Sequence, residues 1–190
     1  LRLGSTAVRL DGETTLDVLD IDDRMLQVSV DRGRVQLRTR GGAGGDAEVD
    51  TPAAAIVVAG AADVRVDVDA STGETFVAVR TGHASVYTPD HGFELAAGET
   101  TRIDAGGGYA IGSAGPRDAF DQFAATRDSG WREPHYVPAG MTGYEDLDRY
   151  GAWQAAPEYG NVWFPSRVAS DWVPYRDGRW VWVEPWGWSW

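Results

Sequence analysis

Apolar and polar residues alternate with a period of two through the first 112 residues of the chain. The segments TAVRL (6–10), LQVSV (26–30), RVQLR (34–38), VRVDV (64–68), TFVAV (75–79) and ASVYT (84–88) carry this alternation. That is the pattern of strands with one buried and one solvated face. Turn-forming residues separate them: LDGET, DRGR, GGAGGD, DASTGE, RTGH, PDHG and AAGE. Many short strands at regular spacing predict an all-β fold, an antiparallel sandwich or jelly roll. VSVDRGRVQLRT (28–39) echoes VAVRTGHASVYT (77–88), with Gly33 and Gly82 at the same place in each. Both read as a strand, a glycine-centred hairpin turn and a second strand.

The alternation breaks at PRDAFDQFAATRD (116–128). Phe120 and Phe123, with Ala119 and Ala124, share one face at helical spacing, and Pro116 and Asp118 suit a helix start. One short helix is expected here, and YEDLDRYG (144–151) is expected to add a further turn. All nine tryptophans lie at or beyond Trp131, among many Pro, Gly and Tyr residues. Pro and Gly at that density prevent long helices, so the tail is expected as extended segments joined by tight turns. The predicted organisation is a β domain over 1–112, a linker with a short helix over 113–130, and an aromatic-rich arm over 131–190, packed on the β domain or on a neighbour.

The net charge of -12 opposes nucleic acid and anionic membranes as partners. All 17 basic residues are arginine. No run of about 18 apolar residues appears, so no membrane-spanning segment is expected in this chain. The absence of cysteine excludes disulfides, thiolate catalysis and Cys-zinc sites. The sequence starts with Leu1, already strand-like and with no signal peptide, so the chain is expected to be a mature or trimmed portion of something longer.

No nucleophile–base–orienter set or phosphate-binding loop is recognisable, so no enzyme, cofactor or metal is expected. His83 and His91 fall in expected turns and His135 in a Pro-flanked loop, and none has a positioned partner. DVDASTGE (67–74) fails the spacing of an EF-hand calcium loop and reads as a hairpin turn.

The candidate interaction residues are Trp153, Trp163, Trp172, Tyr175, Trp180, Trp182, Trp186, Trp188 and Trp190. Three readings stand side by side. The arm fills a core with the sandwich, forms a subunit interface in which Trp, Tyr and Arg concentrate binding energy, or offers indoles as a stacking platform for sugar rings. Trp180–Trp190 is expected as a buried extended staple, because five tryptophans in eleven residues favour burial strongly.

The β half resembles the FecR-type extracytoplasmic domain in LGSTAVRLDGETTLDVLDID, VSVDRGRVQLRT, VDTPAAAIVV with Thr51-Pro52, and VAVRTGHASVYTPDHGFELAAGETTRI, over about residues 1–112. The tail, in GYEDLDRYGAW, PEYGNVWFP and DWVPYRDGRWVWVEPWGWSW, is similar to the Trp/Pro/Gly-rich extension of a subset of predicted secreted Gram-negative proteins. The first resemblance implies a jelly-roll sandwich outside the inner membrane. Its best understood members relay a signal to a sigma factor, but they carry a membrane helix and a cytoplasmic arm. This sequence contains neither, so the anti-sigma role is not carried over. The resulting expectation is a non-catalytic periplasmic or cell-surface interaction or scaffold module, a subunit of a larger assembly. Its partner is another protein or a further copy of itself. The alternative is a carbohydrate-binding module for envelope polysaccharide or peptidoglycan through the arm.

Overall fold

The computed structural model describes residues 2–3, 6–22, 25–40, 46–128, 136–137, 141, 144–169, 171–184 and 187–189. His135, Trp186 and Trp190 lie outside the described residues. The chain divides into two compact units, residues 1–142 and 143–190.

The first unit runs β1 (Arg2–Leu3), β2 (Thr6–Leu10), β3 (Thr15–Ile21), β4 (Met25–Arg40), β5 (Asp46–Asp50), β6 (Ala55–Val58) and β7 (Ala61–Val68). It continues through β8 (Thr75–Thr81), β9 (His83–Tyr87), β10 (Gly92–Ala96), β11 (Glu99–Ile103) and β12 (Tyr109–Ser113), then α1 (Ala119–Asp128). The strands form one 12-stranded sheet that curls into two layers. The first layer runs β1-β2-β4-β7-β8-β11-β12, and the second contains β3-β4-β5-β6-β9-β10. The pairing is antiparallel throughout except between β4 and β5, which run parallel. The period-two pattern explains the core: Val8, Leu37, Val64, Val66, Val77 and Ile103 from the first layer meet Val28, Val30, Val49, Ile56, Val86 and Leu95 from the second.

The strand β4 belongs to both layers. Its first half pairs with β3 and β5, and from Gly33 onward it pairs with β2 and β7. Gly33 has φ +92, and a Cβ there would lie 2.5 Å from Thr14 Cα. Gly82 has φ +75, and a Cβ there would lie 2.7 Å from Ala62 Cβ and collide with the Ala61 carbonyl. The chain passes at Gly82 from β8 in one layer to β9 in the other. The echo is therefore real, but the expected hairpins are not. Gly33 and Gly82 are corners at which a strand changes layer, and the two arms of each repeat do not pair with one another. DVDASTGE does form the turn between β7 and β8, and the Asp69 carboxylate accepts from Ser71 N at 2.8 Å and Ser71 Oγ at 2.6 Å. The Ser71 hydroxyl and the turn amides hold that carboxyl below its ordinary range.

Helix α1 lies on the outer face of the first layer. Asp118 and Asp121 form a capping box: Asp121 N donates to Asp118 Oδ1 at 2.9 Å, and Asp118 N donates to Asp121 Oδ2 at 3.1 Å. The buried residues of α1 are Phe120, Asp121, Ala124 and Asp128. Phe123, expected in the apolar face, is exposed. The helix is instead oriented by charge. Arg65 Nη1 contacts Asp118 at 2.8 Å and Asp121 at 3.1 Å, while its other two nitrogens fork onto Asp67 at 2.7 and 2.8 Å. Arg80 donates to Asp121 at 2.8 Å, and Asp128 pairs with Arg9 at 2.6 Å and Arg38 at 3.3 Å. Arg80 is the extra residue of a register slip between β7 and β8, which is how its side chain reaches the helix. Burial alone would lower the Arg65 proton affinity, but Asp67 and Asp118 carry it above the ordinary value. The Asp118 carboxyl is lowered to about 2: burial opposes this, and the Asp121 amide and Arg65 outweigh it.

Candidate interaction surface

The second unit begins with a 3₁₀ turn (Tyr144–Asp146) and α2 (Leu147–Tyr150), as the YEDLDRYG stretch predicts. Two antiparallel hairpins follow: β13 (Gly151–Ala156) with β14 (Gly160–Pro165), and β15 (Val181–Val183) with β16 (Gly187–Ser189). Among the described residues of 144–189, the two hairpins follow the expectation of extended segments and tight turns.

The structure sorts the candidate aromatics into three groups. Trp153 and Trp163 face each other across the first hairpin. Both are half-buried, and Trp163 Nε1 donates to the Leu147 carbonyl at 2.9 Å. The indole of Trp163 lies so close over Gly151 that a Cβ at that position would collide with its ring. Gly151 is in extended backbone, so its role is space for the ring rather than unusual dihedrals. These two tryptophans build the hairpin and fasten it to α2.

Trp172, Tyr175 and Trp180 stand on the connection between the hairpins, 49%, 62% and 51% exposed. Tyr175 and Trp180 rings approach to 5.3 Å at a tilt of 38°. Tyr175 has φ +59, a left-handed conformation that non-glycine residues rarely hold. With Asp171, Arg176 and Asp177, Trp172 and Tyr175 surround an open hollow of about 400 Å³.

Trp182 and Trp188 are direct cross-strand partners in the closing hairpin, with rings edge to face at 5.9 Å. Trp182 Nε1 donates to Glu184 Oε2 at 3.1 Å. They are 60% and 67% exposed, and Val181 and Val183 on the opposite face are exposed as well. The described residues of 180–190 thus form a hairpin with exposed faces rather than a single extended strand; the staple is expected to pack on the β domain or on another chain. The segment turns back on itself, and a two-stranded ribbon cannot cover both of its own faces.

The histidines show no shared site among the described residues. His83 opens strand β9 rather than occupying a turn, and is exposed. His91 lies in the turn before β10, its ring edge on Tyr109 at 5.7 Å, and Tyr109 stacks on Phe93 at 4.0 Å. No group of three or more His, Cys, Asp or Glu suited to a metal ion occurs among the described residues. The Arg9–Arg38–Arg65–Arg80 face and its acidic helix went unread in the sequence. The available signal was arginine at outward strand positions, matched by aspartates at 118, 121 and 128 on a helix.

Comparison with known proteins places these features. Residues 3–85 match the family model for the FecR protein, a shorter span than the 1–112 of the sequence resemblance. Residues 144–190 match a family of unknown function, DUF6600. No curated protein matches the chain. Two crystal structures of a candidate anti-sigma factor from Parabacteroides distasonis, at 1.65 and 2.50 Å resolution, are similar to it in fold. Each has a TM-score of 0.52 and covers 67% of this chain, with identities of 19% and 18%. The matched region spans 56% of that protein's length. The chain is thus FecR-like in sequence over residues 3–85 and shares its fold with that candidate anti-sigma factor.

Proposed function

We propose that this protein is a non-catalytic interaction module of the bacterial cell envelope, acting in the periplasm or at the cell surface, where the arm over residues 131–190 docks it to a protein surface. The carrying observation is the closing hairpin: two cross-strand tryptophans exposed on one face and two valines on the other. An isolated two-stranded ribbon is marginal in water, so a covering surface would both order it and bury its rings. Each aromatic buries ~150–250 Å² when fully covered, which puts a few such rings within reach of a specific interface. The FecR-type match supports a regulatory or signalling role for the β unit rather than catalysis. The occupant is a further copy of the chain or another envelope protein.

Light scattering on the full chain and on Trp182→Ser/Trp188→Ser tests the first occupant, and crosslinking in native envelopes through a photoreactive residue at 181, with and without the double substitution, tests the second. Loss of a dimer or of a crosslinked species in the double variant is expected. A monomeric chain that gives the same crosslinks with and without the two tryptophans overturns the reading.

A further inference from the structure

We infer that the hollow between Trp172 and Tyr175 is a binding site for a neutral oligosaccharide, separate from the hairpin that carries the docking role. Three observations converge on it. The hollow, about 400 Å³, falls within the ~300–1,000 Å³ range of small-ligand sites. Its aromatic walls are presented rather than buried, since Trp172 and Tyr175 are each half or more exposed. Tyr175 is held there at φ +59, one of two described non-glycine residues with positive φ. Such a backbone is costly for a residue with a side chain and clusters at ligand clamps and active sites. Here it places a ring against the hollow beside the tilted indole of Trp180.

The mixture of groups selects the ligand. Axial C–H bonds of a pyranose carry partial positive charge and suit the electron-rich face of an indole or phenol ring. The ring hydroxyls both donate and accept, so they suit a rim that holds the carboxylates of Asp171 and Asp177 and the guanidinium of Arg176. Arg176 is already steadied on that rim, donating through Nη1 to the Asp171 carbonyl at 3.3 Å. A purely apolar ligand would desolvate these three charges without compensation. A phosphorylated ligand would meet two carboxylates against one guanidinium on a chain of net charge -12. A quaternary ammonium would gain the aromatic faces but meet Arg176, and the 38° opening between the Tyr175 and Trp180 rings is a platform rather than a closed box.

The experiment is titration of the full chain with chitohexaose, cellohexaose and maltohexaose, followed by calorimetry and tryptophan emission, with choline chloride as the cationic competitor. At least one hexasaccharide is expected to bind with a dissociation constant below about 1 mM. Trp172→Ala should weaken it at least ~tenfold, a loss in keeping with one stacked ring. Tyr175→Gly should do the same while folding at least as well, because glycine accepts the left-handed backbone without strain. Trp182→Ala, in the hairpin, should leave the affinity within about twofold, since Trp182 does not line the hollow. Three results overturn the proposal: no hexasaccharide binding, binding untouched by Trp172→Ala and Tyr175→Gly, or choline binding in place of sugar. None of them bears on the docking role, which is read from assembly in the Trp182→Ser/Trp188→Ser variant.

Discussion

Asp118 and Asp121 cap one another across the first turn of α1, and both carboxylates then contact one guanidinium, that of Arg65. The pair does two tasks at once: it starts the helix and attaches it to the sheet. Asp118 has a carboxyl lowered from 3.8 to about 2, so its contribution is fully present above about 3.8 and is lost as pH falls through about 2. Amide protection in α1, corrected for the intrinsic exchange rate at each pH, should therefore fall between those two values, ahead of protection in β7 and β8. Asp118→Asn should remove that acid step, because the amide still caps the helix but no longer titrates. An α1 protection profile flat down to pH 2 would contradict this.

Arg65 is nearly buried and serves Asp67, Asp118 and Asp121 together. Arg65→Ala leaves the buried Asp121 and the partly buried Asp67 short of positive charge and should cost ~3–5 kcal/mol, read from denaturant midpoints. Arg65→Lys keeps the charge but loses the fork onto Asp67 and the planar ring contact with Phe120 at 5.6 Å. It should fall between wild type and alanine. Equal stability of all three chains would show that the network contributes nothing.

Gly33 and Gly82 need both a left-handed backbone and an absent Cβ. Gly60 shares the positive φ, at +75, but has open space where a Cβ would stand. Gly60→Asn should cost well under ~1 kcal/mol, since asparagine tolerates this region. Gly33→Asn and Gly82→Asn should each cost more than ~2 kcal/mol, because the conformation is tolerated but the collision with the neighbouring strand is not. Thermal melts of the three variants decide it, and similar losses at all three sites would refute the corner geometry.

The strands, their core-facing residues and the helix start were legible because each depends on local spacing: period two for Val64, Val66 and Val68, a capping aspartate for α1. The corners were not. Strand–Gly–strand looks the same whether the two arms pair or part, and what separates them is Thr14 and Ala61, distant in sequence. Counting apolar residues around the helix selected Phe123, whereas the arginines of the underlying sheet select Asp121 and Asp128. In the arm, nine candidate aromatics looked equivalent. The small residue Gly151, which lets Trp163 sit inward, separates a building residue from the presented rings.

Within the closing hairpin, the edge-to-face contact of Trp182 and Trp188 should be measurable as a coupling of ~0.5–1.5 kcal/mol in a double-mutant cycle. The signal to follow is the exciton-coupled circular dichroism of the two indoles, which single alanine variants should abolish. Its absence from the intact protein would mean the hairpin does not form in solution.

Because β4 donates hydrogen bonds to neighbours in both layers, it acts as a mechanical tie. Load applied to the β3 edge passes along the backbone through Gly33 into β2 and β7, with no interface to slip in between. The two layers should accordingly yield together under force, in a single rupture, when the protein is pulled from residue 15 and from residue 113.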